Sequence, residues 1–196
     1  EVKYEESGHT EKLIKDSNEI IISPGIDLRS LIKSKPSLKK KKIISEVEFA
    51  SRYTNAFIIA VTGTNGKTTT SKLIYHILKN SGFNVGLAGN IGYSFSESIV
   101  ENQFDYYVLE VSSFQLDHII NFRPDISIIT NISPDHLDRY DNKLESYAEA
   151  KFNIIRNQKS SDFFIYNGDC AITTNKINSV NSKASAISLH LSLIHI

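Results

Sequence analysis

Short runs rich in Ile, Val, Phe and Tyr recur along the chain, each bounded by Gly, Pro, Asn, Asp or Ser. "EIIIS" (Glu19 to Ser23) is stopped by Pro24 and Gly25 and reads as a strand. "AFIIAVT", "NVGLAGN", "DYYVLEV", "DISIITNI" and "DFFIYN" read the same way. Between them the apolar positions return every three or four residues, the helical period. "DLRSLIKS" predicts a short helix capped by Asp27, and "SEVEFASRY" one capped by Ser45 with Glu48 at the capping-box position. "TTTSKLIYHILKNSG" predicts a longer helix with Leu73, Ile74, Ile77 and Leu78 on one face and Gly82 ending it. "KLESYAEAKFNIIRN" is the clearest helix. Strands alternating with helices predict an α/β fold with a doubly wound, mostly parallel sheet.

Pro36 and the lysines that follow read as a linker, placing a boundary near Lys42 to Ser45. Residues 1–44 are then a remnant of one domain, and residues 45–190 a nucleotide-binding domain. The chain has 196 residues, 40% of them hydrophobic, with Lys+Arg and Asp+Glu both at 22. A net charge of zero gives no field that favours nucleic acid or an acidic membrane. The run Lys39 to Lys42 reads as a solvated connector, with a nucleic-acid patch as the alternative. The single cysteine, Cys170, excludes an intrachain disulfide and suits a reducing compartment. No apolar run approaches the ~20 residues that span a bilayer, and the charged start lacks a signal-peptide core. The expectation is a cytoplasmic monomer. The sequence contains no Met, and its last residues, 191–196, break with the composition before them. They read as a non-native tail, with a terminal strand as the alternative.

One stretch changes the picture most. In "VTGTNGKTTTSKL" a Gly- and Thr-rich turn with a central lysine separates a strand from a helix. That arrangement gathers backbone N–H groups and a helix dipole at one point, which suits an anion. Gly63 and Gly66 allow the tight turn, Lys67 reaches β- and γ-phosphates, and the Thr68 hydroxyl can hold Mg²⁺. The strict P-loop pattern needs Gly where this chain has Val61, so the match is partial.

Other polar groups fall at the same edge of the expected sheet. Glu110 ends a strand at its carboxyl side, where open parallel sheets bind ligands; a plain exposed acid is the alternative. Asp135, His136 and Asp138 follow the next strand, and an imidazole oriented by a carboxylate is a good metal ligand. Lys151 shares a helix face with Leu144, Tyr147, Ala148 and Ile155. It either snorkels to the rim or is buried as a neutral amine. A neutral amine can react with CO₂ to give a carbamate.

The sequence T-G-T-N-G-K-T-T without the first glycine resembles the phosphate loop of the Mur ligase superfamily. "AGNIG", "EVSSFQLD" and "TNISPDHLDRY" follow in that family's order, and "SPGI" at Ser23 to Ile26 resembles its UDP-binding N-terminal domain. The resemblance implies a P-loop NTPase-like central domain beside a remnant of a Rossmann-like one. It implies an ATP-dependent ligase of peptidoglycan precursor synthesis, with UDP-N-acetylmuramoyl-L-alanine and D-glutamate as substrates. Gly63, Thr64, Asn65, Gly66, Lys67, Thr68 and Thr69 would bind ATP. Thr68 and Glu110 would hold one Mg²⁺; His136 and a carbamylated Lys151 would hold a second. Lys67, Glu110, His136 and Lys151 would be the catalytic set, and Ser23, Gly25, Asn90, Ser112, Gln115 and His136 the substrate contacts. Tyr93 departs from the family, which often has proline there. The family's C-terminal domain is not represented, so the chain by itself is expected not to turn over. The alternatives are another Mur-type or folylpolyglutamate-type ligase, a P-loop NTPase without ligase activity, and a nucleotide-binding structural module.

Overall fold

The computed structural model describes residues 8–180 and 182–190; the expected tail at 191–196 lies outside the described residues. The N-terminal part comprises α1 (Glu11–Asp16), β1 (Glu19–Ile22), α2 (Leu28–Ser34) and β2 (Lys42–Ser45). β1 and β2 pair in parallel, with Ile20 opposite Ile43 and Ile21 opposite Ile44. Asp27 caps α2 by accepting from the Arg29 N–H at 3.0 Å.

The expected lysine-rich linker is structured instead. Pro36–Lys40 forms a 3₁₀ turn that buries Leu38, and Lys42 opens β2. Leu38, Ile43 and Ile44 lie within and beside the lysine run and have a core to enter, while the amines reach outward. Lys41 Nζ donates to the carbonyls of Lys15 and Ser17, both at 2.6 Å, and Lys42 pairs with Glu19 at 2.8 Å.

α3 (Glu46–Ala50) follows directly, with the Ser45 hydroxyl accepting from the Glu48 N–H at 3.3 Å. The expected capping box does not close. The Glu48 carboxylate reaches away from the helix and accepts from the backbone N–H groups of Ile120, Asn121 and Phe122.

Six strands then build one parallel sheet: β3 (Phe57–Thr62), β4 (Val85–Gly89), β5 (Tyr106–Glu110), β6 (Ile126–Ile129), β7 (Phe163–Asn167) and β8 (Ser185–Leu189). Their order is β4-β5-β3-β6-β7-β8. β3 is the centre, and the chain leaves it for β5 on one side and β6 on the other. The crevice at the carboxyl ends of such diverging strands is where open α/β sheets take ligands.

Helices cover both faces, as a parallel sheet requires. On one face α4 (Lys67–Asn80) packs Ile74 and Leu78 against Ile59, Val85 and Val108. Only that stripe faces the sheet. Leu73 and Ile77, expected on the same face, lie about 100° further round the helix and are exposed. The opposite face carries α5 (Phe95–Glu101), α6 (Ser113–Leu116), α7 (Leu144–Phe152) and α8 (Ala171–Ile177). Phe95, Leu116, Tyr147 and Ala148 meet Ala60, Tyr107, Leu109 and Ile129 there. Each large apolar side chain buried in this way contributes roughly 2 kcal/mol. Among the described residues, no helix is long and apolar enough to cross a membrane.

Candidate nucleotide and carboxylate site

The register of the sheet sets the site. Val61 of β3 lies opposite Glu110 of β5, and Thr62 opposite Ile129 of β6. The turn that leaves β3 is therefore flanked by the ends of both neighbours. Gly63 has φ 147°, and a Cβ there would come within 1.9 Å of Thr130 Oγ1, so only glycine lets the two segments approach. Gly66, at φ 81°, turns the chain into α4.

The first bond of α4's backbone runs from the Thr70 N–H to the Gly66 carbonyl at 3.0 Å. Amides ahead of it have no partner within the helix and are available to an anion. Two residues of the expected phosphate loop use their amides otherwise. The Thr64 N–H donates to the Asn131 carbonyl at 2.9 Å, and the Asn65 N–H to Asn131 Oδ1 at 3.0 Å. The anion donors are thus concentrated at Gly66, Lys67, Thr68 and Thr69. Lys67 folds back over the loop, its Nζ donating to Gly63 O at 3.0 Å and Thr64 O at 2.9 Å.

Glu110 is buried at the end of β5. Its Oε2 accepts from the Thr68 hydroxyl at 2.7 Å, and its Oε1 from Asn90 Nδ2 at 2.9 Å. Gly89 makes the second contact feasible: at φ 105° its missing Cβ would lie 2.3 Å from the Glu110 carbonyl oxygen. Among the described residues, no group of three or more His, Cys, Asp or Glu could hold a metal ion by itself. The Thr68 and Glu110 oxygens are nevertheless hard donors side by side, the set that Mg²⁺ uses when phosphate and water complete its shell. The residues present fit that ion.

Lys151 is 1% exposed. Its Nζ donates to Gly63 O at 2.8 Å and stands 4.4 Å from the centroid of the Tyr147 ring. Burial, and after it the neighbouring charge of Lys67, pull its pKa down to about 7. Of the two sequence alternatives, burial is the one realised. Lys67 and Lys151 share the Gly63 carbonyl, so the chain holds two amines against one loop oxygen.

A cavity of about 220 Å³ gathers the remaining groups: Gly25, Lys67, Asn90, Ser112, His136 and Lys151 all line it. His136 takes the left-handed conformation at φ 49° and stands largely exposed, with Asp135 Oδ2 at 3.6 Å from its Nε2. Two expected substrate contacts lie elsewhere. Ser23 lines a separate apolar cavity beside β1. Gln115 is buried, and its Oε1 accepts from the Ser112 N–H at 2.9 Å in a capping box on α6. It supports Ser112 from behind.

Four residues were not singled out from the sequence. Phe114 and Arg139 join the cavity wall, with the Arg139 guanidinium 4.6 Å over the Phe114 ring and its Nη2 donating to Ile26 O at 2.9 Å. Thr130 and Asn131 grip the phosphate loop. Their one signal in the sequence is their place in "TNISPDHLDRY" directly after a strand, and the titratable residues at the far end of that stretch are more conspicuous.

Against known families, residues 61–192 match the Mur ligase middle domain. The chain is 50% identical over 177 residues to UDP-N-acetylmuramoylalanine–D-glutamate ligase of Bacteroides fragilis, covering 90% of this chain and 40% of that protein. It is 51% identical over 165 residues to the enzyme of that name from Porphyromonas gingivalis, covering 84% of this chain and 37% of that protein. The chain therefore spans about two fifths of the length of the curated relatives it matches. Among solved structures, MurF ligase from Thermotoga maritima in complex with ADP has the same fold, with a TM-score of 0.59 at 19% identity, over 92% of this chain and 49% of that one. The phosphate turn without its first glycine, the glutamate at the end of β5 and the buried lysine of α7 are thus features of a chain that belongs to the Mur ligase middle-domain family.

Proposed function

We propose that the full-length protein carrying this chain uses ATP to join D-glutamate to the carboxyl group of UDP-N-acetylmuramoyl-L-alanine. The observation that carries the reading is the single cavity lined by Lys67, Asn90, His136 and Lys151 beside the Thr68–Glu110 pair. Identity of about 50% to ligases with that substrate pair supports it. The reading brings with it a cytoplasmic, monomeric enzyme.

Amides of Gly66 to Thr69 and the Lys67 ammonium would hold the phosphates, with Lys67 leaving its loop carbonyls to reach them. Mg²⁺ at Thr68 and Glu110 would neutralise charge on the phosphate oxygens. A carboxylate oxygen of the muramyl substrate attacks the γ-phosphorus, ADP leaves, and an acyl phosphate results. The amine of D-glutamate then displaces phosphate and loses a proton as the amide forms. Phosphoryl transfer of this kind rests on positioning and charge neutralisation, which suits a site of fixed amides and amines. Asn90 and His136 would place the muramyl substrate.

Lys151 takes a further part in this reading. A neutral Nζ attacks the carbon of CO₂, an N–C bond forms and a proton is released, leaving a carbamate. The buried cation becomes an anionic oxygen donor that would hold a second Mg²⁺ with His136. Its depressed pKa and its place in the cavity wall support this.

The test is phosphate release and incorporation of labelled D-glutamate by the full-length protein. Release should require both the muramyl nucleotide and D-glutamate; equal release with neither present would replace the ligase with a simple NTPase. Lys151→Ala should abolish most ligation and be partly restored by short-chain carboxylic acids, while Lys151→Arg, which keeps a charge but cannot form the carbamate, should fail as badly as alanine. An active arginine variant would overturn the carbamate.

A further inference from the structure

The segment leaving β6 holds the phosphate loop at several points, and two of them converge on a single atom. Thr130 Oγ1 donates to the Asn65 carbonyl oxygen at 2.6 Å, and Asn131 Nδ2 donates to the same oxygen at 3.0 Å. Asn131 Oδ1 in turn accepts from the Asn65 N–H at 3.0 Å. The Asn131 side-chain amide therefore pairs with both polar groups of residue 65, as the backbone of a neighbouring strand would.

The consequence lies one bond further on. The Asn65 carbonyl and the Gly66 N–H belong to one trans peptide unit, so they point in opposite directions. Drawing the Asn65 oxygen toward the segment leaving β6 therefore turns the Gly66 N–H away from that segment, the side left to an anion. The alternative orientation of this peptide is sterically open. It would reverse the sign of φ at residue 66, and glycine tolerates both signs where another residue would be confined. Gly66 stands at φ 81°. A flipped peptide would present a carbonyl oxygen to the phosphate in place of a donor. Glycine makes the turn feasible and leaves its orientation unspecified; something else has to specify it.

We propose that Thr130 and Asn131 are positioning residues that lock the Asn65–Gly66 peptide in the orientation that donates the Gly66 N–H to a nucleotide phosphate. The proposal rests on reading this loop as the site of a nucleoside triphosphate. It assigns a task to polar side chains that do not titrate and do not line the cavity. It also accounts for the closeness of the two segments. Gly63 must lack a Cβ because Thr130 Oγ1 occupies its place, and the Thr64 hydroxyl accepts from the Ser133 N–H at 3.0 Å on the same strand exit. Residues 130–136 are one continuous segment, gripping the phosphate loop at its start and carrying His136 at its end.

The test is calorimetric titration of the full-length protein with Mg·ATP, Mg·ADP and adenosine. Asn131→Asp keeps an acceptor for the Asn65 N–H but sets an anionic oxygen against the Asn65 carbonyl, so it should drive the peptide to flip. It is expected to weaken Mg·ATP binding roughly 30-fold, about 2 kcal/mol. Thr130→Val, which removes one of two donors at nearly constant shape, should cost roughly 5-fold. Adenosine should bind all variants alike, because it lacks the phosphates; a merely structural loss would lower all three ligands together. In ¹⁵N-labelled protein the Gly66 amide should lose its ligand-induced shift in Asn131→Asp while amides of the sheet keep theirs. Wild-type affinity for Mg·ATP in Asn131→Asp, with Lys67→Ala impaired, would overturn the lock and leave the nucleotide site standing. Failure of the wild type to bind Mg·ATP at all would overturn both.

Discussion

Two buried glutamates sit at opposite tasks in this molecule. Glu48 is 0% exposed and Glu110 is 2% exposed, so solvent treats them alike. Their partners do not. Glu48 Oε2 accepts from three consecutive backbone amides, those of Ile120 at 2.9 Å, Asn121 at 2.9 Å and Phe122 at 2.7 Å. Those donors are fixed by the chain, and Arg52 stands 3.6 Å from the other oxygen. Glu110 is held by a threonine hydroxyl and an asparagine amide, side-chain groups that rotate about single bonds. A carboxylate held by fixed dipoles is committed to the fold. One held by rotatable groups can exchange a hydroxyl proton for a cation without disturbing the backbone. Burial alone therefore does not separate an acid committed to the fold from one open to a cation; the mobility of its partners does.

The largest expected effect comes from removing charge where the partners can move. Glu110→Gln should lower ligation by the full-length protein roughly a thousandfold, the order that follows when several kcal/mol of charge stabilisation are lost. Glutamine still bonds with Asn90 and Thr68, so the melting midpoint should stay within about 2 °C. Glu48→Gln should do the converse. Weakened bonds from three amides to a former anion should cost about 2 kcal/mol of stability, read by urea unfolding, while turnover per folded molecule is unchanged. A Glu110 variant that melts early but retains its turnover, or a Glu48 variant that is stable but inactive, would break the comparison.

The same distinction explains what the sequence revealed. Strands β3 to β7 and helix α7 were legible because their apolar period is dictated by a sheet covered on both faces. Glu110, His136 and Lys151 are conspicuous in the sequence as titratable groups after a strand or on an apolar stripe, and the fold brings them to one edge of the sheet. Glu48 reads as a capping-box residue in the sequence, since local spacing favours that and its real partners are more than seventy positions away. β2 is hidden because it begins at the end of a lysine run, which reads as solvated chain. β8 is hard to read because each of its residues is exposed and its sequence, SAISL, shows no alternation of polar and apolar positions. Leu73 and Ile77 were placed inward because a helical wheel shows which residues share a face but not how wide a stripe the sheet covers. Thr130 and Asn131 are inconspicuous in the sequence because orienting a peptide requires neither charge nor an apolar pattern, only proximity in the folded chain.

Lys151 extends the comparison to a buried cation, whose effect is read as a trend of stability with pH and not as a single loss. Its bond to Gly63 O is to a fixed backbone group, as for Glu48, yet among the described residues no carboxylate is paired with it, and burial favours the neutral form. The folded pKa of about 7 lies below the ordinary lysine value of 10.5. Between those limits the unfolded chain binds a proton that the folded one has lost, so stability rises with pH, by at most about 1.4 kcal/mol per pH unit. Below pH 7 the cost of burying the charge is fully present; above about 10.5 it is gone. Lys151→Met removes the titration at similar length. In CO₂-free buffer, the stability of wild type relative to Lys151→Met should therefore climb from pH 7 to pH 10, measured by urea unfolding. Added bicarbonate should raise wild type alone, because a carbamate formed only in the folded state stabilises it by mass action. A difference that stays flat across this range would mean that Lys151 keeps its proton in the fold, and with it the carbamate would lose its neutral amine.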